Sequence, residues 1–96
     1  MRIETQDKAK LFEAILGLES LEEAKAFFRD LLTQSEIDEF ALRFKAACML
    51  SDGIPYTQIQ TETGLSSTTI ARISKWLQSG MNGYKLAISR VHHGDS

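Results

Sequence analysis

The sequence has few of the residues that cross-link or kink a chain. It contains one cysteine, Cys48, and one proline, Pro55. A single thiol cannot close an internal disulfide, so a disulfide scaffold is excluded and Cys48 is expected to act as a small core residue in a reducing compartment. No apolar run approaches the roughly 20 residues that span a bilayer, and the N-terminus MRIETQDKAK lacks the apolar stretch of a signal peptide. We therefore expect a cytoplasmic protein that makes no membrane contact.

Motifs of catalysis and metal binding are also missing. The sequence has no Gly-rich strand-to-helix turn, HExxH, CxxC or nucleophile elbow. Carboxylates such as Asp38 and Glu39 lie in helical patterns, where they suit solvated faces and first turns. His92 and His93 lie near the C-terminus without a nearby thiol, so they resemble a frayed tail more than a metal site, and their role stays open. We expect no enzyme, no metal and no catalytic residue.

Acidic residues are absent from one long segment. The net charge is -2, but residues 1–39 hold five basic and ten acidic residues, whereas residues 40–96 hold six basic and three acidic ones. Between Thr63 and Arg90 there are four basic side chains and no acid. Because salt screens charges more than about 8–10 Å apart, a local basic surface can attract phosphate on an acidic protein. The charge distribution therefore permits DNA binding without proving it.

What the sequence does contain is helical periodicity throughout, which predicts an all-α fold. Apolar residues recur with a 3.6-residue period over residues 7–18. Ser20 with Glu23, and Thr33 with Glu36, have the spacing of a capping box. The sequence therefore predicts a first helix over this stripe and the start of the second and third helices at Ser20 and Thr33.

Apolar stripes on these first three helices exceed what one short chain covers with its own surface. Gly53 is expected to end the third helix by adopting a left-handed conformation. We therefore predict that residues 1–53 form a helical dimerisation core, with the N-terminal helices crossing between the subunits of an intertwined homodimer. The alternative is a monomeric bundle that folds these stripes onto one another.

A helix-turn-helix is predicted over residues 54–79. Pro55 fixes the entry of a short helix over Tyr56–Glu62, with Ile59 as its buried anchor. Gly64 supplies the sharp turn and Ser66 caps the second helix. Residues 80–96 are expected to form a C-terminal helix and a frayed tail.

The second helix of this motif has an apolar side and a polar side. Leu65 is expected to pack the turn, while Ile70 and Ile73 face inward beneath Ile59. A recognition helix reads base edges with short, hydrogen-bonding residues at its N-terminus and holds phosphates with basic residues further along. The predicted DNA-binding residues are Thr57, Gln60, Ser66, Ser67, Thr68, Thr69, Ala71, Arg72 and Lys75. The alternative is that the hydroxyl residues only cap a structural helix.

Residues 32–77 also carry several ordered motifs of one family. The segment begins LTQSEIDEF, with the spacing LT-x-x-E, continues through a helix with an internal arginine, and ends in a glycine-centred helix-turn-helix. It resembles the Trp repressor superfamily, and the following SGMNGYKLAISR resembles the Trp-repressor-like YerC/YecD branch. The resemblance covers about two thirds of the chain. It implies an intertwined helical homodimer in which each subunit offers one DNA-reading head to a palindromic operator.

The resemblance also implies a ligand site. In tryptophan-responsive members, two arginines flank the corepressor, and these match Arg43 and Arg72, while the threonine of LT-x-x-E matches Thr33. A glycine and a serine follow the second arginine in those members, where this chain has Ile73 and Trp76. Ile73 is expected to occupy space that the ligand ring would need, and Trp76 to fill the rest. We therefore expect DNA binding without tryptophan or another cofactor. Because larger residues replace the glycine and the serine, a corepressor smaller than tryptophan is left as an alternative.

The leading hypothesis is a sequence-specific DNA-binding regulator, with repression as its output, whose partners are double-stranded DNA and a second copy of the chain. One alternative is a protein-interaction module of the same fold without DNA binding. Another is a repressor that responds to tryptophan or another small ligand. The sequence gives neither the operator nor the regulated genes.

Overall fold

Six helices account for all the regular structure in the part of the chain that the computed structural model describes, residues 5–94. In chain order they are α1 (Thr5–Leu16), α2 (Leu21–Leu31), α3 (Gln34–Ser51), α4 (Tyr56–Thr63), α5 (Ser67–Ser79) and α6 (Gly83–Gly94). No strand occurs in this range, and the predicted all-α class is confirmed. None of the helices described is long and apolar enough to cross a membrane.

Of the two predicted capping boxes, the one at Thr33 is complete and the one at Ser20 forms in part. Thr33 Oγ1 accepts the backbone N–H of Glu36 at 3.1 Å, and the Glu36 carboxylate accepts the backbone N–H of Thr33 at 2.8 Å. Ser20 Oγ accepts the N–H of Glu23 at 3.1 Å, whereas the Glu23 carboxylate accepts from Glu19, one residue earlier than the motif predicts. These bonds satisfy amide donors that have no intrahelical partner and so define where α2 and α3 begin.

The chain divides into two units, residues 1–37 and 38–96. The predicted dimerisation core extends to residue 53, beyond this division. The difference arises in α3, because Ala46 and Ala47 lie in the core of the second unit.

In the first unit, no residue from 5 to 37 is buried within the chain. Phe12 is 66% exposed, Leu16 86% and Leu21 67%. Phe27 and Phe28 contact each other edge to face, with ring centroids 5.4 Å apart. α1 ends at Leu16, although the apolar pattern continues to Leu18. The amphipathic helices predicted here exist, and their apolar side chains remain uncovered.

The second unit has an apolar core to which all four of its helices contribute. Its buried members are Ala46, Ala47, Ile59, Ile70, Ile73, Leu77 and Ile88. α5 packs on both α4 and α6, so it is the central element of this unit. Cys48 packs against the core as expected, and burial, followed by the charge of Asp52, raises the pKa of its thiol.

The connection from α3 to α4 takes the predicted form. Gly53 has a φ of +80°. Its N–H donates to the Leu50 carbonyl, and the N–H of Ile54 donates to the Met49 carbonyl, both at 3.0 Å, which is the pattern of a Schellman motif. Pro55 then stands at the N-cap of α4. The predicted C-terminal helix is α6, which extends to Gly94 and includes His92, while the end of the predicted tail, residues 95 and 96, lies outside the described residues.

Candidate nucleic-acid interface

The turn between α4 and α5 is built around Gly64, as predicted. Gly64 has a φ of +74°, and its N–H donates to the Gln60 carbonyl at 2.8 Å. A left-handed residue lets the chain reverse its direction immediately after α4. α4 ends at Thr63, one residue later than predicted.

Thr63 is a turn residue that the sequence analysis missed. Its side chain is buried, and its hydroxyl donates to the Ile59 carbonyl at 2.7 Å and accepts the N–H of Leu65 at 3.2 Å. One hydroxyl therefore joins the last turn of α4 to the residue after Gly64. The signal that could have found it is a threonine directly before a turn glycine, where hydroxyls often bond nearby backbone.

α5 begins at the predicted cap. Ser66 Oγ accepts the N–H of Thr69 and donates to Thr69 Oγ1, at 3.1 and 3.0 Å. The single hydroxyl proton of Ser66 is therefore already engaged. Of the hydroxyl residues predicted to bind DNA, Ser66 and Thr69 have a structural role at this helix end.

The apolar side of α5 anchors the motif as predicted. Ile59 of α4 and Ile70 of α5 are fully buried, and Ile73 is 4% exposed. Leu65 is half-buried in the turn and packs against the same core. These contacts hold α5 against α4 and leave the opposite side of α5 free for a ligand or partner.

The opposite side of α5 is solvent-exposed. Ser67, Thr68, Ala71, Arg72 and Lys75 are all exposed there. Within residues 5–94, Ser67 and Thr68 make no side-chain hydrogen bond, and Arg72 and Lys75 have no ion pair. Four of the chain's predicted DNA-binding side chains therefore keep their hydrogen-bonding groups available.

The two predicted DNA-binding residues of α4 differ in their exposure. Thr57 is exposed, and its carbonyl accepts the Thr61 hydroxyl at 3.0 Å. Gln60 is half-buried and provides the carbonyl that accepts from Gly64. Thr57 is thus the more accessible of the two.

Trp76 also belongs to the exposed side of α5, and its predicted place in a ligand space is not tested by the single chain. Its side chain is 53% exposed. It lines an open depression together with Thr68, Ala71, Arg72 and Lys75. We name the five residues of this depression the outer face of α5. The indole also lines a second, more apolar depression with Phe44, Met81, Gly83, Tyr84 and Ala87.

Gly80 follows α5 at a point where a side chain has no room. A Cβ atom placed there would lie 2.5 Å from the Trp76 carbonyl oxygen and 2.9 Å from the Trp76 indole ring. The N–H of Gly80 donates to the same carbonyl at 2.9 Å. Glycine at this position therefore lets α5 end while the indole stays at the surface.

The three residues matched to a corepressor site have other contacts in the chain. The Thr33 hydroxyl caps α3. Arg43 forms an ion pair with Glu39 at 3.1 Å and lies 6.0 Å from the ring centroid of Phe40, while its Nε is buried without a hydrogen-bond acceptor. Arg72 lines the outer face of α5. The ligand site suggested by the resemblance stays a prediction.

Ile73 and Trp76, the two exchanged residues, occupy different environments. Ile73 belongs to the core of the second unit. Trp76 is half-exposed, so it fills no enclosed space within that unit. In the described range, no group of three or more His, Cys, Asp or Glu residues could hold a metal ion, and the His93 side chain lies outside the described residues.

Comparisons with known proteins place this geometry in context. A family model described as Trp repressor protein matches residues 6–92. The uncharacterized protein YerC of Bacillus subtilis (strain 168) is 45% identical over 82 residues, which cover 85% of this chain and 79% of YerC. The crystal structure of a TrpR-like protein from Eubacterium eligens ATCC 27750 matches with a TM-score of 0.86 and 39% identity, covering 93% of this chain and 92% of that chain. A Staphylococcus aureus structure, provisionally described as a Trp repressor, matches with a TM-score of 0.85 and 37% identity, covering 93% and 89% of the two chains.

Proposed function

Because the chain belongs to the Trp repressor family, in its YerC-like branch, we propose that it is a transcriptional repressor that binds a palindromic DNA operator as a homodimer. The family is one of helix-turn-helix regulators, and the chain has its all-α fold. DNA binding, dimerisation and repression are the proposed steps. Repression follows from occupancy of the operator and requires no chemical reaction.

The observation that carries this proposal is the outward side of α5. Its first turn offers the unengaged hydroxyls of Ser67 and Thr68, and the next two turns carry Arg72 and Lys75 without ion pairs. Short polar side chains at the tip of a recognition helix suit base edges, while cations further along suit phosphates. Thr57 and Gln60 of α4 and the capped Ser66–Thr69 turn complete the proposed contact set.

The uncovered first unit supports the homodimer. Phe12, Leu16 and Leu21 lie on helices without one buried residue in the range 5–37. Apolar side chains exposed in this density favour burial against a partner. A second copy of the chain supplies equivalent helices and, by twofold symmetry, places two reading heads on one operator.

We further propose that DNA binding does not require tryptophan. The position after Arg72 carries Ile73, whose side chain is buried with Ile59 and Ile70 and therefore cannot withdraw for a ligand without opening the core. Arg43 is already paired with Glu39. These contacts favour a reading head held in place by its own side chains.

The test is selection of bound sites from random duplexes, with and without L-tryptophan, followed by titration of the selected site. We expect a palindromic site in both selections and equal affinities. Affinity should fall by about 10³–10⁵ between 50 and 200 mM salt if about 6–10 phosphates are neutralised per dimer. Calorimetry with L-tryptophan alone should detect no micromolar binding.

Two variants show whether the outer face of α5 does the reading. Thr68→Ala should relax base preference, whereas Arg72→Gln should weaken binding to all duplexes more uniformly. Lys25→Gln, which removes a cation from α2, is the matched control. Absence of duplex binding at low salt would leave a protein-interaction module as the better account, and selection of a site only with tryptophan would make the protein ligand-responsive.

A further inference from the structure

We propose that Trp76 is a DNA-backbone contact, with its indole N–H donating to a phosphate oxygen at the rim of the groove that α5 enters. The inference rests on the proposed function and adds to it a contact that carries no charge. It concerns a residue that belonged neither to the predicted DNA-binding set nor to the core.

The position of Trp76 on α5 places it beside the proposed phosphate contacts. Thr68, Arg72 and Trp76 are spaced four residues apart, so their side chains lie along one side of the helix. Trp76, Arg72 and Lys75 also line the same depression. Because the two cations attract a polyanionic backbone, that backbone would come closest to the surface that Trp76 shares with them.

The distance along the helix separates Trp76 from the base-reading tip. Thr68 and Trp76 are eight residues apart, which corresponds to about 12 Å of helix at a rise of about 1.5 Å per residue. The major groove is about 8.5 Å deep. If the N-terminal turn of α5 contacts base edges, Trp76 lies beyond the bases and at the level of the sugar–phosphate backbone.

The chemistry of the indole suits that position. Its Nε1–H is a donor only, and phosphate oxygens are acceptors only. Its ring is 53% exposed and has no hydrogen-bond partner in the described part of the chain. The absence of any acid between Thr63 and Arg90 removes electrostatic repulsion from the approaching duplex. Charge complementarity therefore favours a polyanion such as DNA over a neutral or basic protein as the occupant of this depression.

Trp76 is the only tryptophan of the chain, so its fluorescence reports on this contact without labelling. In the wild-type protein, acrylamide should quench the free indole readily and should quench it at least about twofold less when the selected duplex is bound. An indole that stays equally accessible in the DNA complex would overturn the proposal. So would one already protected in the free protein, because a second copy would then cover it.

Substitution tests the hydrogen bond itself. Trp76→Phe keeps an aromatic ring and removes the donor, and it should weaken duplex binding at least roughly tenfold. The dependence of affinity on salt should stay that of the wild type, because a neutral donor releases no counterion. Lys75→Gln should instead lower the slope of log affinity against log salt by about 1 per subunit.

The matched control is Tyr84→Phe, which removes one hydroxyl from an aromatic ring on the other side of Trp76. It should leave duplex affinity unchanged. Equal loss in both variants would assign Trp76 a structural role, and thermal unfolding of each variant checks for it. If the wild type binds its site and Trp76→Phe binds equally well, only this inference fails; if the wild type binds no duplex, the proposed function fails first.

Discussion

The two units of the chain differ in what they bury. Residues 5–37 form helices in which no side chain is buried, although α2 and α3 begin at capped ends, whereas residues 38–94 enclose seven buried apolar residues from four helices. Capping hydrogen bonds decide where a helix begins, but they contribute far less to its stability than the packing of an apolar face. The second unit therefore has an apolar core of its own, whereas the helices of the first unit have none within the chain.

The largest expected effect comes from the interior of the second unit. Ile59→Ala removes a fully buried side chain between α4 and α5 and should lower the free energy of unfolding by about 2–5 kcal/mol. Urea denaturation followed by circular dichroism measures it. Met81→Ala, at a position 95% exposed, should change the free energy by less than about 0.5 kcal/mol. Equal losses in the two variants would contradict the core described here.

A second substitution asks what covers the first unit. Phe12→Ser removes an aromatic ring that is 66% exposed in the single chain, and it should weaken self-association roughly 10- to 100-fold. Sedimentation equilibrium over a range of protein concentrations measures the dissociation constant. Lys10→Ser on the same helix is the control and should leave it nearly unchanged. A wild-type protein that sediments as a monomer would remove the homodimer from the proposed function.

Substitution of one glycine in each unit compares the two units directly. Gly64→Ala forces a Cβ atom into a left-handed conformation at a φ of +74° and should cost about 1–2 kcal/mol of stability. Gly17 has no such φ, and a Cβ atom there would meet its nearest neighbour at an ordinary 3.5 Å, so Gly17→Ala should be neutral to within about 0.5 kcal/mol. Thermal unfolding of both variants gives the comparison. A neutral Gly64→Ala would mean that the turn tolerates another conformation.

The smallest expected effect is a pH dependence at the start of α3. The backbone N–H of Thr33, and then its hydroxyl, hold the pKa of the Glu36 carboxyl below its ordinary value. A lowered folded-state pKa means that the carboxylate stabilises the fold above the ordinary pKa and loses this contribution as the pH falls through the folded value. The stability difference between wild type and Glu36→Gln should therefore be larger near about pH 7 than near about pH 3. A difference that does not vary with pH would show that the charge of Glu36 has no part in the cap.

Local sequence patterns were sufficient for most helix ends. Thr33 with Glu36, Ser66, Gly53 and Gly64 all act as predicted, because each effect operates within about four residues through one hydrogen bond or one backbone angle. The inward position of Ile70 and Ile73 also followed from helical spacing. The predictions were less accurate for α1 and α4, whose observed ends differ from the predicted ones by one or two residues.

The candidate site was predictable in part. The exposure of Thr68, Ala71, Arg72 and Lys75 followed from their place opposite the apolar side of α5. The bond of Thr63 across the turn was missed, because the sequence does not show that the Thr63 side chain is buried and directed at the N–H of Leu65. The 53% exposure of Trp76 in the single chain did not follow from the sequence either, since a large apolar residue can lie on either side of a helix, and its place in a ligand space stays a prediction.

By itself the sequence determined six helices, the caps at Ser20, Thr33 and Ser66, a glycine turn and a segment without acids, because these depend on neighbours a few residues away. Only the tertiary structure decided that the second half of α3 packs in the core with α4, α5 and α6. It also decided that the sole tryptophan lies at the surface beside Arg72 and Lys75. The physical reason is that burial is a property of packed elements, which depends on contacts between residues far apart along the chain.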